Sequence, residues 1–219
     1  IVNNVISNHM YTVPGKKWAT GILIHQSSGA VISNNMLNSN QLGINLIQAN
    51  ASTISGNTIK GDPLSKAGIM ISSYKTDQKN ISTGNTVKRN TLTGGWIGIW
   101  SDYAHGNKYI SNIISGSFRN GIYLWNSNSN TITGNVISST NSTSNTTYGI
   151  ELDSDEEESI TDKTKGTANN ILINNTIVKS DSGFLVAKNS RNNTFSNNRF
   201  NGSVTSPVQS DINILKLNP

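Results

Sequence analysis

One short phrase recurs along the chain and limits what it can fold into: an apolar residue, two polar ones, Asn, any residue, then an apolar one. It stands at Asn4, Asn35, Asn57, Asn85, Asn112, Asn135, Asn175 and Asn198. A second phrase, Gly-apolar-any-apolar, falls between these at Gly21, Gly43, Gly68, Gly121, Gly149 and Gly183, with a weaker copy at Gly98-Ile99-Trp100-Ser101. The interval from Gly to the next Asn is 14 residues in four cases: 21 to 35, 43 to 57, 98 to 112 and 121 to 135. From Asn to the next Gly it varies between 8 and 14 over 35–183. One arc of each repeat is therefore fixed, and another tolerates insertions. Pro14, Pro63 and Pro207 all lie in the variable arcs, where a missing N–H does no harm.

Both phrases alternate with period two, the mark of short strands. Such strands, with no helical stretch between them, cannot pair as hairpins and keep this register, but they can stack on their own copies one turn later. The expected fold is all-β: a single-stranded parallel β-helix of about eight coils, each burying its apolar face against its neighbours. The inward rows are Ile22, Ile44, Ile69, Ile99, Ile122, Ile150 and Phe184, beside Ile24, Leu46, Ile71, Leu124, Leu152 and Val186. The Asn row fits, because Asn tolerates left-handed backbone at corners and stacked amides hydrogen-bond along the axis. Composition agrees. The chain holds 34 Asn, and Asn is a poor helix interior. With 27 Ile and a net charge of only +5, charge-driven disorder is excluded. The absence of Cys excludes disulfides, thiolate metal sites and a Cys nucleophile. No apolar run approaches the ~20 residues of a membrane span.

The pattern resembles the right-handed parallel β-helix superfamily, the pectin lyase-like fold of carbohydrate-active and surface proteins, over nearly the whole chain. The resemblance implies one domain spanning 1–219, as a fragment of a longer chain or with a homo-oligomer covering the ends, since no capping helix is visible. It also implies an extracellular, cell-surface or virion-surface location.

If residues one and three after each Gly point inward, those at minus two, plus two and plus four point outward. Three consecutive coils then stand out: Trp96, Trp100 and Asp102; Arg119, Tyr123 and Trp125; Glu151 and Asp153. Three of the four Trp residues meet on one face with three carboxylates and an arginine. Outward rings on a solenoid have no core to fill. Either sugar rings stack on them, or the rings pack under the long loops. On the first reading Trp96, Trp100, Tyr123 and Trp125 contact a polysaccharide and Arg119 clamps it. Asp102, Glu151 and Asp153 are then the candidate catalytic acids and bases. Attachment points are roughly 6.6 Å apart for Glu151 and Asp153 and roughly 9.6 Å for Asp102 and Asp153. Inverting glycosidases hold their acid and base about 6.5–9.5 Å apart.

Seven of the twelve acids lie between Glu151 and Asp162, where the arc of 14 is stretched to 26, from Gly149 to Asn175. An acidic loop over 154–168 is expected to leave the β-helix beside the aromatic face. Its clustered oxygens make Asp155 and Glu156 candidate calcium ligands, though a solvated acidic run is the commoner case and no EF-hand spacing is present. Outside residues 151–168, five acids face fifteen bases. This balance favours a polyanionic partner. The bases follow no nucleic-acid motif, so an acidic polysaccharide is the expected partner.

Among enzymes of this superfamily, the pectate lyase Arg-x-Pro-x-x-Arg segment and the polygalacturonase Gly-His-Gly are absent. Tyr148-Gly149-Ile150-Glu151-Leu152-Asp153 is similar to the Tyr-Gly-[Phe/Ile]-Asp-x-His of alginate C5-epimerases, with Glu for the Asp and Asp for the His. His9, His25 and His105 are too far apart in the repeat to converge on a metal, which argues against the copper-delivery proteins that share these repeats. Two function classes follow: a hydrolase, lyase or epimerase acting on an acidic polysaccharide, and a non-catalytic adhesin, surface-layer or tailspike module.

Overall fold

A chain whose apolar residues recur once per turn must close each turn at nearly the same length, and it does so with three strands per coil. The computed structural model describes residues 1–10, 19–77, 79–139, 146–155, 166–187, 189–201 and the backbone of 206–210. All pairing within its three sheets is parallel, the arrangement of a right-handed parallel β-helix. The first sheet runs through Val5–Ser7, Met36–Asn38, Thr58–Lys60, Thr91–Thr93, Ile113–Ser117, Val136–Ser139, Thr176–Val178 and Arg199–Asn201. The second holds Thr20–His25, Leu42–Ile47, Ala67–Ser72, Ile97–Asp102, Asn120–Trp125, Tyr148–Asp153, Ser182–Val186 and Ser206–Ser210. A third, from Val31–Ser33 to Thr194–Ser196, lies between each Gly and the Asn that follows, where the sequence phrases marked a strand only at Asn85.

The interior is one continuous cluster that includes Ile44, Ile69, Ile99, Ile122, Ile150 and Phe184 from the second sheet and Leu37, Ile59, Leu92, Ile114, Ile137 and Ile177 from the first. Burying each such side chain contributes roughly 1.5–3 kcal/mol. The Gly-98 repeat is weak for a packing reason. Ser101 stands where neighbouring coils carry Ile71 and Leu124, and the space it leaves is filled by the fully buried ring of Tyr109. The Tyr109 hydroxyl donates to Ser101 Oγ at 2.8 Å, and Ser101 donates to Ser127 Oγ at 3.2 Å. Burial pushes the Tyr109 phenol pKa well above its ordinary value.

The Asn row requires a correction. There are two amide ladders. One passes through Asn4, Asn35, Asn57, Asn90, Asn112, Asn135, Asn175 and Asn198; the other holds Asn85, Asn107, Asn130, Asn170 and Asn193. Asn85 thus belongs to the second ladder, and Asn90 takes its place between Asn57 and Asn112. In each rung a side-chain carbonyl accepts from the previous Asn: Asn90 N and Nδ2 donate to Asn112 Oδ1 at 3.1 and 3.0 Å. Asn112 Nδ2 in turn reaches Val87 O at 3.0 Å. The left-handed backbone also sits elsewhere than expected. It is the residue before each ladder Asn that takes positive φ, as in Asn34 (55°), Gly56 (65°), Arg89 (54°) and Asn174 (58°).

Glycine is required at the corner entering the second sheet because of a close approach, not because of φ. A Cβ on Gly149 would lie 2.6 Å from Ile177 Cγ2 and 2.6 Å from the Gly183 carbonyl oxygen. The pairing skips this residue: Asn120 faces Tyr148, and the next partners are Ile122 and Ile150. The residue before each Gly therefore turns outward, which simple alternation missed. Leu42, Ala67 and Ile97 there join Met70 and Tyr123 in a second apolar cluster on the outer face, with Trp96, Trp100 and Trp125 packed against it.

Two outcomes are expected. Asn112→Ala strands two buried donors of Asn90 and lowers stability by about 2–5 kcal/mol, whereas Asn4→Ala at the exposed first coil costs under about 1 kcal/mol; equilibrium unfolding compares them. Ser101→Ile alone overpacks the core by about 1–3 kcal/mol, and adding Tyr109→Ile recovers most of that loss in a double-mutant cycle.

Candidate functional site

The second sheet, with the corner before it, positions every sequence-predicted catalytic and sugar-binding residue. Its pairing sets Trp100, Tyr123 and Glu151 in one row and Asp102, Trp125 and Asp153 in the next, each on consecutive coils. Trp96 and Arg119 stand two residues before their glycines, at the corner preceding the same strands. The eight residues thus share one face.

They differ in depth. Tyr123 and Glu151 are 4% and 3% exposed. Trp96, Trp100, Asp102, Arg119, Trp125 and Asp153 are half-buried. The rings of Trp100 and Tyr123 lie 6.0 Å apart, as do those of Tyr123 and Trp125, and the Arg119 guanidinium sits 5.8 Å from the Tyr123 ring centre. Tyr123 donates its hydroxyl to Asp153 Oδ2 at 2.9 Å, so the buried ring holds the half-buried carboxylate. Burial, then the Asp153 and Glu151 carboxylates, drive the Tyr123 pKa far up.

Glu151 is gripped from two sides. Asn120 Nδ2 donates to Glu151 Oε2 at 2.5 Å, and Arg119 Nη2 lies 3.8 Å from Oε1. Burial still outweighs these donors and raises the Glu151 pKa above its ordinary value. Asn120 was not predicted. The signal was its place immediately before Gly121, in the row that the glycine corner turns outward. Asp102 has no such support: no side-chain hydrogen bond or ion pair to its carboxyl is present among the described residues. Burial raises its pKa from 3.8 to about 6. Among the described residues, Asn120 Oδ1 and Trp125 Nε1 are buried here without a hydrogen-bond partner.

Two excursions flank this face. Lys75 follows the strand Ala67–Ser72, Asp155 follows the strand Tyr148–Asp153, and they pair at 3.0 Å, spanning the two coils between. Asp155, a candidate calcium ligand, is thus paired with a cation, and its N–H donates to Asn126 Oδ1 at 3.0 Å. Glu156 lies outside the described residues, as does most of the 154–168 loop.

The histidines stand apart. His9 Nδ1 lies 3.0 Å from Asn40 Oδ1, and His25 Nε2 lies 3.3 Å from the Tyr74 hydroxyl. His105 Nδ1 accepts from Asn128 N at 2.9 Å, the acceptor role that Asn128 itself plays one coil later toward Ala168 N. Among the described residues no three His, Cys, Asp or Glu side chains are grouped to hold a metal ion, and no helix is long and apolar enough to cross a membrane.

The solved structures that resemble this chain share its fold at low sequence identity. A double mutant of the periplasmic alginate epimerase AlgG superposes with a TM-score of 0.69 at 18% identity, over 91% of this chain and 46% of that one. The A-module of the Azotobacter vinelandii mannuronan C-5 epimerase AlgE6 gives 0.63 at 16% identity, over 96% and 55%. PfbA, a surface adhesin of Streptococcus pneumoniae, gives 0.54 at 12% identity, over 97% and 71%. The chain therefore spans about half the length of the two epimerase structures. No curated protein matches it. A family model described as periplasmic copper-binding protein (NosD) matches residues 2–215. This corrects the expectation, argued from the histidines, that set the copper-delivery proteins of this repeat type aside. The described side chains nevertheless do not fit a copper ion, with no Cys in the chain and its three histidines on separate partners. By its repeats and by the match along almost its entire length, the chain belongs to the NosD family.

Proposed function

We propose that the face formed by Trp96, Trp100, Arg119, Tyr123, Trp125, Asp102, Glu151 and Asp153 binds an acidic polysaccharide and breaks its glycosidic bond by hydrolysis. The observation that carries this reading is the pair Asp102 and Asp153. Asp102, whose pKa is raised to about 6, keeps its proton in mildly acidic solution, where an ordinary aspartate has lost it. Asp153, two coils from Asp102, is held by the Tyr123 hydroxyl of the coil between them. Their attachment points are roughly 9.6 Å apart at the ordinary strand spacing, near the upper end of the range that leaves room for a water molecule. Asp102 is the general acid toward the leaving oxygen, and Asp153 is the base that takes a proton from water. Glu151, at 3% exposure, sits too deep to touch substrate and holds Arg119 and Asn120 in place. Trp100 and Trp125 offer ring faces to the sugar. Arg119, with its side chain 40% exposed, pairs with a uronate carboxylate. The excess of bases outside the acidic loop attracts such a polymer. The polysaccharide-acting epimerase structures of the same fold agree with this substrate class. A location outside the cytoplasm, in the periplasm or at the cell surface, is consistent with the family description and with the adhesin.

The second reading is a glycan-binding module without turnover. It is favoured by the burial of Tyr123 and the packing of all three indoles on the outer apolar cluster, which give the rings a structural use.

The test is incubation with a panel of uronate and neutral glycans, following reducing ends and unsaturated products. Asp153→Asn and Asp102→Asn should each lower turnover by at least about 100-fold while ligand is still bound. Binding without turnover across the panel establishes the module instead, and unsaturated ends would mean elimination in place of hydrolysis. Turnover should also fall as pH rises through about 6, as Asp102 loses its proton.

Stability carries the same signature. A carboxyl whose pKa is higher folded than unfolded binds its proton more tightly in the folded state, so stability falls as pH rises from 3.8 toward about 6. Glu151 shifts in the same direction. Asp102→Asn should flatten the unfolding midpoint across that window and raise it above pH 6.

A further inference from the structure

Away from the carboxylate face, a cleft of about 670 Å³ opens beside the first three coils, lined by Gln26, Ser27, Ser28, Gln48, Asn50 and Asn80. Among the described residues every lining side chain is an uncharged amide or hydroxyl. The amides are held in a set order. Gln26 Nε2 donates to Gln48 Oε1 at 3.0 Å, the 3%-exposed Gln48 donates to Asp77 Oδ2 at 2.8 Å, and Asn80 Nδ2 donates to the same oxygen at 2.9 Å. Asn50 Oδ1 accepts from Thr83 N at 3.0 Å, which leaves its NH2 group as a donor. The array thus offers Gln26 and Asn80 carbonyl oxygens, an Asn50 donor and two serine hydroxyls at fixed places. Tyr74, 44% exposed, meets His25, the residue before Gln26 in the chain, edge-on with ring centres 6.0 Å apart.

We propose that this cleft is a second saccharide site, specific for an uncharged sugar unit. A polyol needs donors and acceptors in alternation, with an apolar ring face for its C–H side. Ordered amides supply the first and Tyr74 the second. An anionic sugar is disfavoured. Among the described residues no cation lines the cleft, and behind the amides stands Asp77, whose pKa is lowered by hydrogen bonds from Asn80 and Gln48 and which therefore remains a carboxylate. Because the amides are already fixed against one another, little side-chain freedom is lost on binding. The inference is independent of the roles given to Asp102 and Asp153, which stand on later coils.

Isothermal titration of the intact protein with neutral tetrasaccharides (cello-, laminari- and maltotetraose), against a galacturonate tetramer, tests it. At least one neutral tetraose should bind at millimolar concentration or below. Gln26→Ala with Asn80→Ala should weaken that binding by at least about tenfold, and so should Ser28→Trp, which fills the cleft from an exposed position. These variants should leave turnover at the carboxylate face unchanged. Trp100→Ala should leave neutral-sugar binding within about twofold. The proposal is overturned if no neutral tetraose binds, if binding is lost in Trp100→Ala but kept in the cleft variants, or if the galacturonate tetramer is bound in the cleft as tightly as the neutral ones. Failure of the hydrolase reading alone leaves all of these outcomes intact.

Discussion

Buried corners are the difficulty in any solenoid of this kind, because the chain must turn twelve or more times without leaving an amide N–H unpaired. The side-chain carbonyl of a stacked Asn solves it by accepting two donors from the coil before, while its own NH2 returns to backbone carbonyls. Water is excluded at these rungs, so the bonds are worth more intact than their modest net energy suggests, and one missing acceptor leaves two groups stranded. The residue before each Asn swings through left-handed backbone to present the amide inward, which is why Gly and Asn crowd that position. The second ladder resumes at Asn85 and Asn170, directly after the excursions that follow Ser72 and Asp153. Each loop can vary in length because a ladder re-establishes the register where the chain returns.

The glycine corner does for the outer face what the ladders do for the interior. The skip in pairing at each Gly sends the preceding residue outward, giving the second sheet an additional external row. Where that row reads Leu42, Ala67 and Ile97, it builds an apolar bed for three indoles. On the next coil it reads Asn120, and the bed becomes a polar socket for Glu151. A steric requirement of the backbone therefore decides where the outer face is dry enough to move a carboxyl away from its ordinary pKa.

Much of this was legible in the residues. The fixed interval of 14 identified the stacking, and the row assignments for Trp100, Tyr123 and Glu151, and for Asp102, Trp125 and Asp153, follow from counting. The third sheet was hidden because its strands, such as Thr53–Ser55 and Thr131–Thr133, carry a single inward residue each, too little for a periodic signal. The second Asn ladder was hidden by the density of Asn, and the phrase at Asn85 mimics that of the first. Tyr109 and Ser101 could be understood only together, since volume is conserved across the core and not within a repeat. Depth on the outer face was not readable at all, because alternation tells in from out and says nothing of what lies on top.

The carboxyls of this face show how similar groups acquire different chemistry. Asp102 and Glu151 are both withdrawn from water, and both would rather be neutral for that reason. Around Glu151 the protein supplies an amide donor and a guanidinium, which oppose the cost of burial and anchor the group. Around Asp102 no described side chain opposes it, and burial raises the carboxyl's pKa to about 6. Asp153, on the same row as Asp102, has a donor in Tyr123. Under the proposed hydrolysis, these different surroundings within three coils make Asp102 the acid and Asp153 the base. The difference arises here from which neighbours the stacked register brings alongside each acid, so the register that satisfies the interior amides also sets the chemistry of the surface.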